Sequence, residues 1–304
     1  MCLALAGGCG SPRDMAREPT VTTAERADFS ARPGAIRFAV IGDSGRGSRE
    51  QYEVAAQMTA QRERFRFDFV IMLGDNIYGG AAPKDYRDKF EVPYRSLLED
   101  GVKFFAVRGN HGVGEQWLYP LFNTGGHRYF TFRKTAAPIG ILAGNAVQFF
   151  AIDSVSLDLN QINWLERELA SSDADWKISF FHHPLYTSGR YGWSAISRRR
   201  RLEPILRRHG VDVVFAGHEH VYERLTPQQG IVHFVSGGAG SVRRGDLQPS
   251  GRTAAGFDED LHFMLVEISG DTMRFEAVTR TGAIVDAGQI KQSRQSFGRR
   301  STGS

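Results

Sequence analysis

Five short apolar runs, Ile36 to Ile41, Phe69 to Leu73, Val102 to Val107, Ile178 to Phe181 and Val211 to Ala216, have the length and composition of buried β-strands. Between them the apolar spacing changes period. Arg49 to Arg64 sets Tyr52, Ala55, Ala56 and Met58 among charged residues, as an amphipathic helix does. Asp85 to Glu99, Gln161 to Ala170 and Arg198 to His209 read the same way. Strand and helix in alternation predict an α/β architecture with helices covering sheets. Past Gly217 the pattern becomes strands without helices (Ile231 to Val235, Leu261 to Ile268, Thr272 to Thr279, Ala283 to Ile290), which predicts a second, largely antiparallel sheet.

All five runs end in residues that bind metals. The segments are GDSG with Asp43, GDNIY with Asp75 and Tyr78, GNH with Asn110 and His111, HHP with His182 and His183, and GHEH with His218 and His220. Ligands of such sheets gather outside the carboxyl ends of the strands. One Gly-Asp after a strand is usually a turn or a helix N-cap. Two of them, joined by Gly-Asn-His and Gly-His-x-His in equivalent positions, read instead as a two-metal centre. Carboxylates brought so close would repel unless a cation sat between them.

The individual donors carry further information. On a strand the i, i+2 spacing of His218 and His220 puts both imidazoles on one face, and a loop could turn each toward a different ion. Asn110 offers a neutral oxygen. Only one of His182 and His183 is expected to bind metal, because they point to opposite faces if the strand continues. Tyr78 discriminates most: a phenol of ordinary pKa ~10 is recruited poorly by a divalent ion, whereas Fe(III) holds it as phenolate.

Composition changes the picture little in the body and more at the ends. A chain of 304 residues, 41% hydrophobic and 24% charged, suits one soluble globular domain with extensions. The isoelectric point of 9.1 would suggest a nucleic-acid or membrane partner, but the excess sits in the tail 291–304, with Lys291, Arg294, Arg299 and Arg300 and no acid. The leader 1–33 balances its charges, so the body is neutral and no nucleic-acid partner is indicated. Both cysteines, Cys2 and Cys9, lie in the leader. MCLALAGGCG looks like the end of a secretory signal running into a lipobox, with Cys9 as the lipidated residue, although the apolar stretch is short and lacks a basic start. A cell-envelope or extracytoplasmic location, lipid-anchored at Cys9, competes with a cytoplasmic protein bearing a disordered N-terminus. The expected organisation is a leader and linker over 1–33, a catalytic domain over 34–290 and a basic disordered tail over 291–304.

The five segments together resemble the signature of the calcineurin-like metallophosphoesterases, and GDNIY and GHEHVYER are most similar to the purple (tartrate-resistant) acid phosphatase branch. The resemblance covers Gly34 to Ile290. It implies a four-layer sandwich of two mixed β-sheets flanked by helices. It also implies Fe(III) on Asp43, Asp75, Tyr78 and His220, and a divalent ion (iron, zinc or manganese) on Asn110, His182 and His218, with Asp75 bridging. The expected reaction is hydrolysis of small-molecule phosphate monoesters by a metal-bound hydroxide, with His111 protonating or positioning the leaving group. Two positions depart from the family pattern. Gly112 stands where an acid usually follows Gly-Asn-His, with Glu115 as a nearby substitute, and Tyr191 stands where a substrate-facing histidine is usual.

The remaining polar features have plain structural readings. His127, His233 and His262 are expected to be structural, and His209 to sit at a helix C-terminus. Arg198 to Arg201 reads as a solvated helix face close enough to His182 for a phosphate contact, while Arg243 and Arg244 could line the entrance. Two other functions compete: a phosphodiesterase or nucleotidase using two divalent ions, and a surface phosphate- or metal-binding protein without turnover. Rim loops over 79–92, 112–128, 186–197 and 238–258 would set specificity.

Overall fold

The structure is a computed structural model that describes residues 18–30, 32, 34–112, 114–136 and 145–292. Fourteen strands are found among these residues. They are β1 (Thr20–Thr23), β2 (Ile36–Ile41), β3 (Phe69–Met72), β4 (Lys103–Ala106), β5 (Phe130–Thr135), β6 (Ala146–Ile152), β7 (Trp176–Phe181), β8 (Val213–Ala216), β9 (Tyr222–Leu225), β10 (Val232–Ser236), β11 (Thr253–Phe257), β12 (His262–Ser269), β13 (Thr272–Thr279) and β14 (Ile284–Lys291). The α-helices are α1 (Arg49–Gln61), α2 (Pro83–Tyr86), α3 (Arg95–Glu99), α4 (Leu159–Ser171) and α5 (Ala195–Arg208).

Strand alternation builds the layers. Along β2, Phe38 and Val40 face one side while Ala39 and Ile41 face the other; β3 repeats this with Phe69 and Ile71 against Val70 and Met72. The first set meets Phe149, Phe180, Phe215 and Phe234 of the opposite sheet in a central core. The second set packs on Val54, Ala55 and Met58 of α1 and on Phe90, Tyr94 and Leu97. Beyond the other sheet, Phe150, Phe181 and Val214 pack against Leu165 and Leu169 of α4 and Leu202 and Leu206 of α5. The result is helix, sheet, sheet, helix, the four-layer sandwich expected.

Both sheets have seven strands and are mixed, in the orders β1-β14-β13-β12-β2-β3-β4 and β11-β9-β10-β8-β7-β6-β5. Strands β2, β3 and β4 run parallel in one, and β6, β7, β8 and β10 in the other. The expected second antiparallel sheet after Gly217 is therefore corrected. The C-terminal strands split, with β9, β10 and β11 extending one sheet and β12, β13 and β14 completing the other. Local patterning cannot specify this, because both destinations bury the same apolar faces.

The helix expected over Asp85 to Glu99 is broken. Pro93 has no N–H to donate to Lys89, and Val92 instead donates to Arg87 O at 2.8 Å, closing a π-turn over Arg87–Glu91. The freed Lys89 carbonyl accepts from Gln51 Nε2 at 2.6 Å. Part of the expected leader is also structured, since Thr20–Thr23 pairs with Gly288–Lys291 as an edge strand. Cys9 lies outside the described residues, as does the tail beyond Gln292. No helix among the described residues is long and apolar enough to cross a membrane.

Candidate metal centre

The carboxyl ends of β2, β3, β4, β7 and β8 deliver the five motifs to one place, and backbone bonds lock the turns together. Asp43 N–H donates to Gly74 O at 3.0 Å, and Gly217 N–H donates to His182 O at 2.9 Å. Glycine is required where turns approach this closely: a Cβ on Gly109 would sit 2.0 Å from Asp75 N, and one on Gly217 would sit 2.6 Å from Asp43 Oδ2. Asp43, Asp75 and His218 themselves adopt φ of 57°, 50° and 69°, a left-handed conformation uncommon for non-glycine residues, though Asp and His tolerate it better than most. Strain held at three such residues in one cluster marks the site as one where geometry is over-determined.

The side chains form two compact groups. In the first, Tyr78 Oη lies 3.4 Å from Asp43 Oδ1 and 3.3 Å from His220 Nε2, and that nitrogen lies 3.5 Å from Asp43 Oδ1. In the second, Asn110 Oδ1 lies 2.7 Å from His182 Nε2 and 2.9 Å from His218 Nδ1, with the two nitrogens 3.2 Å apart. Asp75 sits between them. Its Oδ2 lies 3.6 Å from His182 Nε2, and donor atoms of Asp43, Asp75 and His182 all fall within 4.8 Å of one another. The residues expected as ligands are thus brought together in one cluster.

Outer partners fix the orientations. His182 Nδ1 meets Leu73 O at 2.9 Å and must carry its proton there, which leaves Nε2 as a lone-pair donor facing the site. His220 Nδ1 meets Ser241 Oγ at 2.7 Å. Asp43 Oδ2 accepts from His218 N–H, and Asp75 Oδ1 from His111 N–H, each at 2.8 Å. Sequence reasoning missed Leu73 and Ser241: a main-chain carbonyl has no sequence signal, and Ser241 becomes a partner only once its loop folds over His220.

Electrostatics fit a cation pair. Burial pushes the Asp43 carboxyl up to about 8, with Asp75 adding to the rise and the His218 backbone N–H and Arg243 opposing it. Burial raises the Tyr78 phenol further still, aided by Asp43 and Asp75. His218 and His220 are driven down to about 3, again chiefly by burial, so both are neutral donors. Carboxylate and phenolate groups this buried keep their charge only beside compensating positive charge, which a metal pair would supply. Arg46 lies over the Tyr78 ring at 4.6 Å, another cation facing the phenol.

A cavity of about 370 Å³ opens on the centre, lined by Asn110, His111, His183, Tyr191, Trp193, Arg198, His218 and Arg243 among others. His111 is exposed on its rim, its ring 5.4 Å from that of Tyr78. Glu115 makes no hydrogen bond or ion pair with His111 among the described residues, so it does not replace the acid absent at Gly112. The expectation that His183 turns away is corrected. Strand β7 ends at Phe181, alternation stops, and His183 faces the cavity with Nδ1 3.1 Å from Ser154 Oγ. Arg198 likewise leaves the solvated face: its Nε donates to Ser154 O at 2.9 Å while the side chain lines the cavity. Arg244 points elsewhere, donating to Glu259 O. His233 and His262 are buried and His209 ends α5, as expected.

The fold and the two donor groups define a dinuclear metallophosphoesterase. The chain matches the calcineurin-like phosphoesterase family over residues 36–222, and it belongs to that family. It is 29% identical to purple acid phosphatase 17 of Arabidopsis thaliana over 71% of this chain and 72% of that protein. It is 25% identical to human tartrate-resistant acid phosphatase type 5 over 82% and 88%. Among solved structures it shares its fold with the purple acid phosphatase PPD1 of yellow lupin (TM-score 0.68, 18% identity, 87% of this chain and 55% of that one). It also shares the fold with GAP50, the anchor in the inner membrane complex of Plasmodium (TM-score 0.73, 19% identity, 86% and 90%).

Proposed function

We propose that this protein is a phosphate monoesterase of the purple acid phosphatase type. Asp43, Tyr78 and His220 would hold Fe(III), Asn110, His182 and His218 a divalent iron, zinc or manganese ion, and Asp75 would serve both. The carrying observation is the Tyr78 hydroxyl, 3.3 Å and 3.4 Å from a histidine nitrogen and a carboxylate in a place where burial makes the phenol hard to ionise. A trivalent ion would hold such a phenol as phenolate far better than a divalent one. When bound, the metal pair supplies Lewis acidity, an acidified water and residual positive charge for a phosphate dianion.

The chain's own residues supply the rest. His182 is held in one tautomer by Leu73, and His220 is oriented by Ser241, so neither needs to reorganise during turnover. His111, fixed through its backbone N–H to Asp75, presents its imidazole at the cavity rim, where it can give a proton to a leaving alkoxide. Tyr191, Trp193 and His183 line the cavity. Cys9 would anchor the protein to an envelope membrane, a reading that rests on the LAGGC segment alone.

Metal analysis and a visible spectrum, run beside a monoester and diester assay, test the function. A violet protein with one iron and one divalent ion, whose colour is lost in Tyr78→Phe, is expected. A colourless enzyme with two manganese ions and diester preference would replace this reading with the phosphodiesterase one. Metal retention without phosphate release from any ester would replace it with a binding protein.

A further inference from the structure

Arg243 is a cation in the active-site cavity that no metal-binding role uses. Its backbone N–H donates to His220 O at 3.1 Å, which ties its position to the metal-binding loop. Its guanidinium lies 5.5 Å from the centre of the Tyr191 ring, on the face of the residue that departs from the family pattern. Tyr191 is fixed in turn, its N–H donating to Glu219 Oε1 at 2.6 Å and its ring 5.3 Å from that of His218. The Arg243 Nη1 atom is buried and has no hydrogen-bond partner. The neighbouring Glu219 Oε2 is also buried without one, so the two groups attract through space but do not satisfy each other. A buried guanidinium nitrogen left without an acceptor is costly, and the cavity beside it is where an anion would sit.

We propose that Arg243, braced by the Tyr191 ring, binds a terminal oxygen of the substrate phosphate and gives the site its preference for monoester dianions. The inference rests on the phosphoesterase reading above and adds a specificity residue to it. A monoester presents three terminal oxygens and a diester two. With two oxygens directed at the metal-binding groups, only a monoester keeps a charged oxygen for Arg243. Guanidinium suits this role because its planar N–H groups form short, charge-assisted bonds to phosphate. Tyr191 holds the guanidinium plane in place of contacting phosphate itself, which explains how the chain dispenses with a histidine there.

The test compares the metal-loaded full chain with Arg243→Ala and Arg243→Lys by three measurements: metal content, the Kd of inorganic phosphate, and kcat/KM for a phosphate monoester and its methyl diester. Metal content should stay at the parent value. Phosphate Kd should rise by about 10- to 100-fold in Arg243→Ala, with partial recovery in Arg243→Lys. The monoester-to-diester ratio of kcat/KM should shrink by a similar factor. Phosphate binding within twofold of the parent in both variants, or equal losses on both esters, overturns the proposal. A parent protein that turns over neither ester and binds no phosphate would instead sink the phosphoesterase reading itself, so the two failures are distinguishable.

Discussion

His182 Nε2 and His218 Nδ1 face each other at 3.2 Å, although the bond from His182 Nδ1 to Leu73 O leaves Nε2 without a proton. Asn110 Oδ1 points at both nitrogens. With the His218 proton on Nε2, all three atoms present electron pairs to one point, as a cation would accept them.

Chelation should therefore loosen the protein as well as silence it. Ligand that binds the folded state alone stabilises it by about 2.7 kcal/mol at a hundredfold excess over Kd, which is roughly 5–10 °C in Tm for a domain of this size. Thermal melts with a chelator, and after adding back iron and zinc, check this. An unchanged Tm would mean that the two donor groups close on each other without metal.

His111→Ala should keep both metals and lose about 10²- to 10⁴-fold in kcat on an alkyl phosphate, whose leaving group needs a proton. An aryl phosphate with an acidic leaving group should lose much less. Equal losses on both esters would assign His111 to positioning and not to proton transfer.

Gly109→Ala tests the turn that holds Asp75. The new Cβ would meet Asp75 N at 2.0 Å and Oδ1 at 2.1 Å, so the loop must move and metal affinity should fall, with about 1–3 kcal/mol lost in stability. Gly251→Ala, whose Cβ meets nothing within 4 Å, is the control and should match the parent. Metal titration with denaturant melts would show the contrast.

Stability should decline in acid for a reason outside the active site. Burial lowers His233 to about 3; it lowers His262 to about 4, against the opposing pull of Asp260. The unfolded chain takes up these protons near pH 6.5 and the folded chain does not. Their contribution is thus complete above pH 6.5 and shrinks as pH falls toward 4, by about 1.4 kcal/mol per pH unit for each histidine. His233 Nε2 has no hydrogen-bond partner, so His233→Leu leaves little unsatisfied and should flatten the slope by one histidine's share. Urea melts at pH 7 and pH 4.5 measure it; parallel slopes would contradict the assignment.

The sequence by itself determined the layers and which side chains would gather at one end of the sheets. Asp43, Asp75, Tyr78, Asn110, His182, His218 and His220 were legible because each follows a buried strand, and a parallel sheet brings strand ends to one side. The two-sided burial of β2 and β3 was legible from residue type alone. The tertiary structure decided the rest, since it depends on pairing between residues far apart in the chain. It chose which sheet took each strand after Gly217, where either offered an equivalent apolar face. It gave the Lys89 carbonyl, freed by Pro93, to Gln51, and it turned His183 into the cavity by ending β7 at Phe181. It also placed Ser241 behind His220 and Arg243 against Tyr191. Local patterning records which faces are apolar and which residues can bind; the direction a nitrogen or guanidinium finally faces is set by neighbours that only folding supplies.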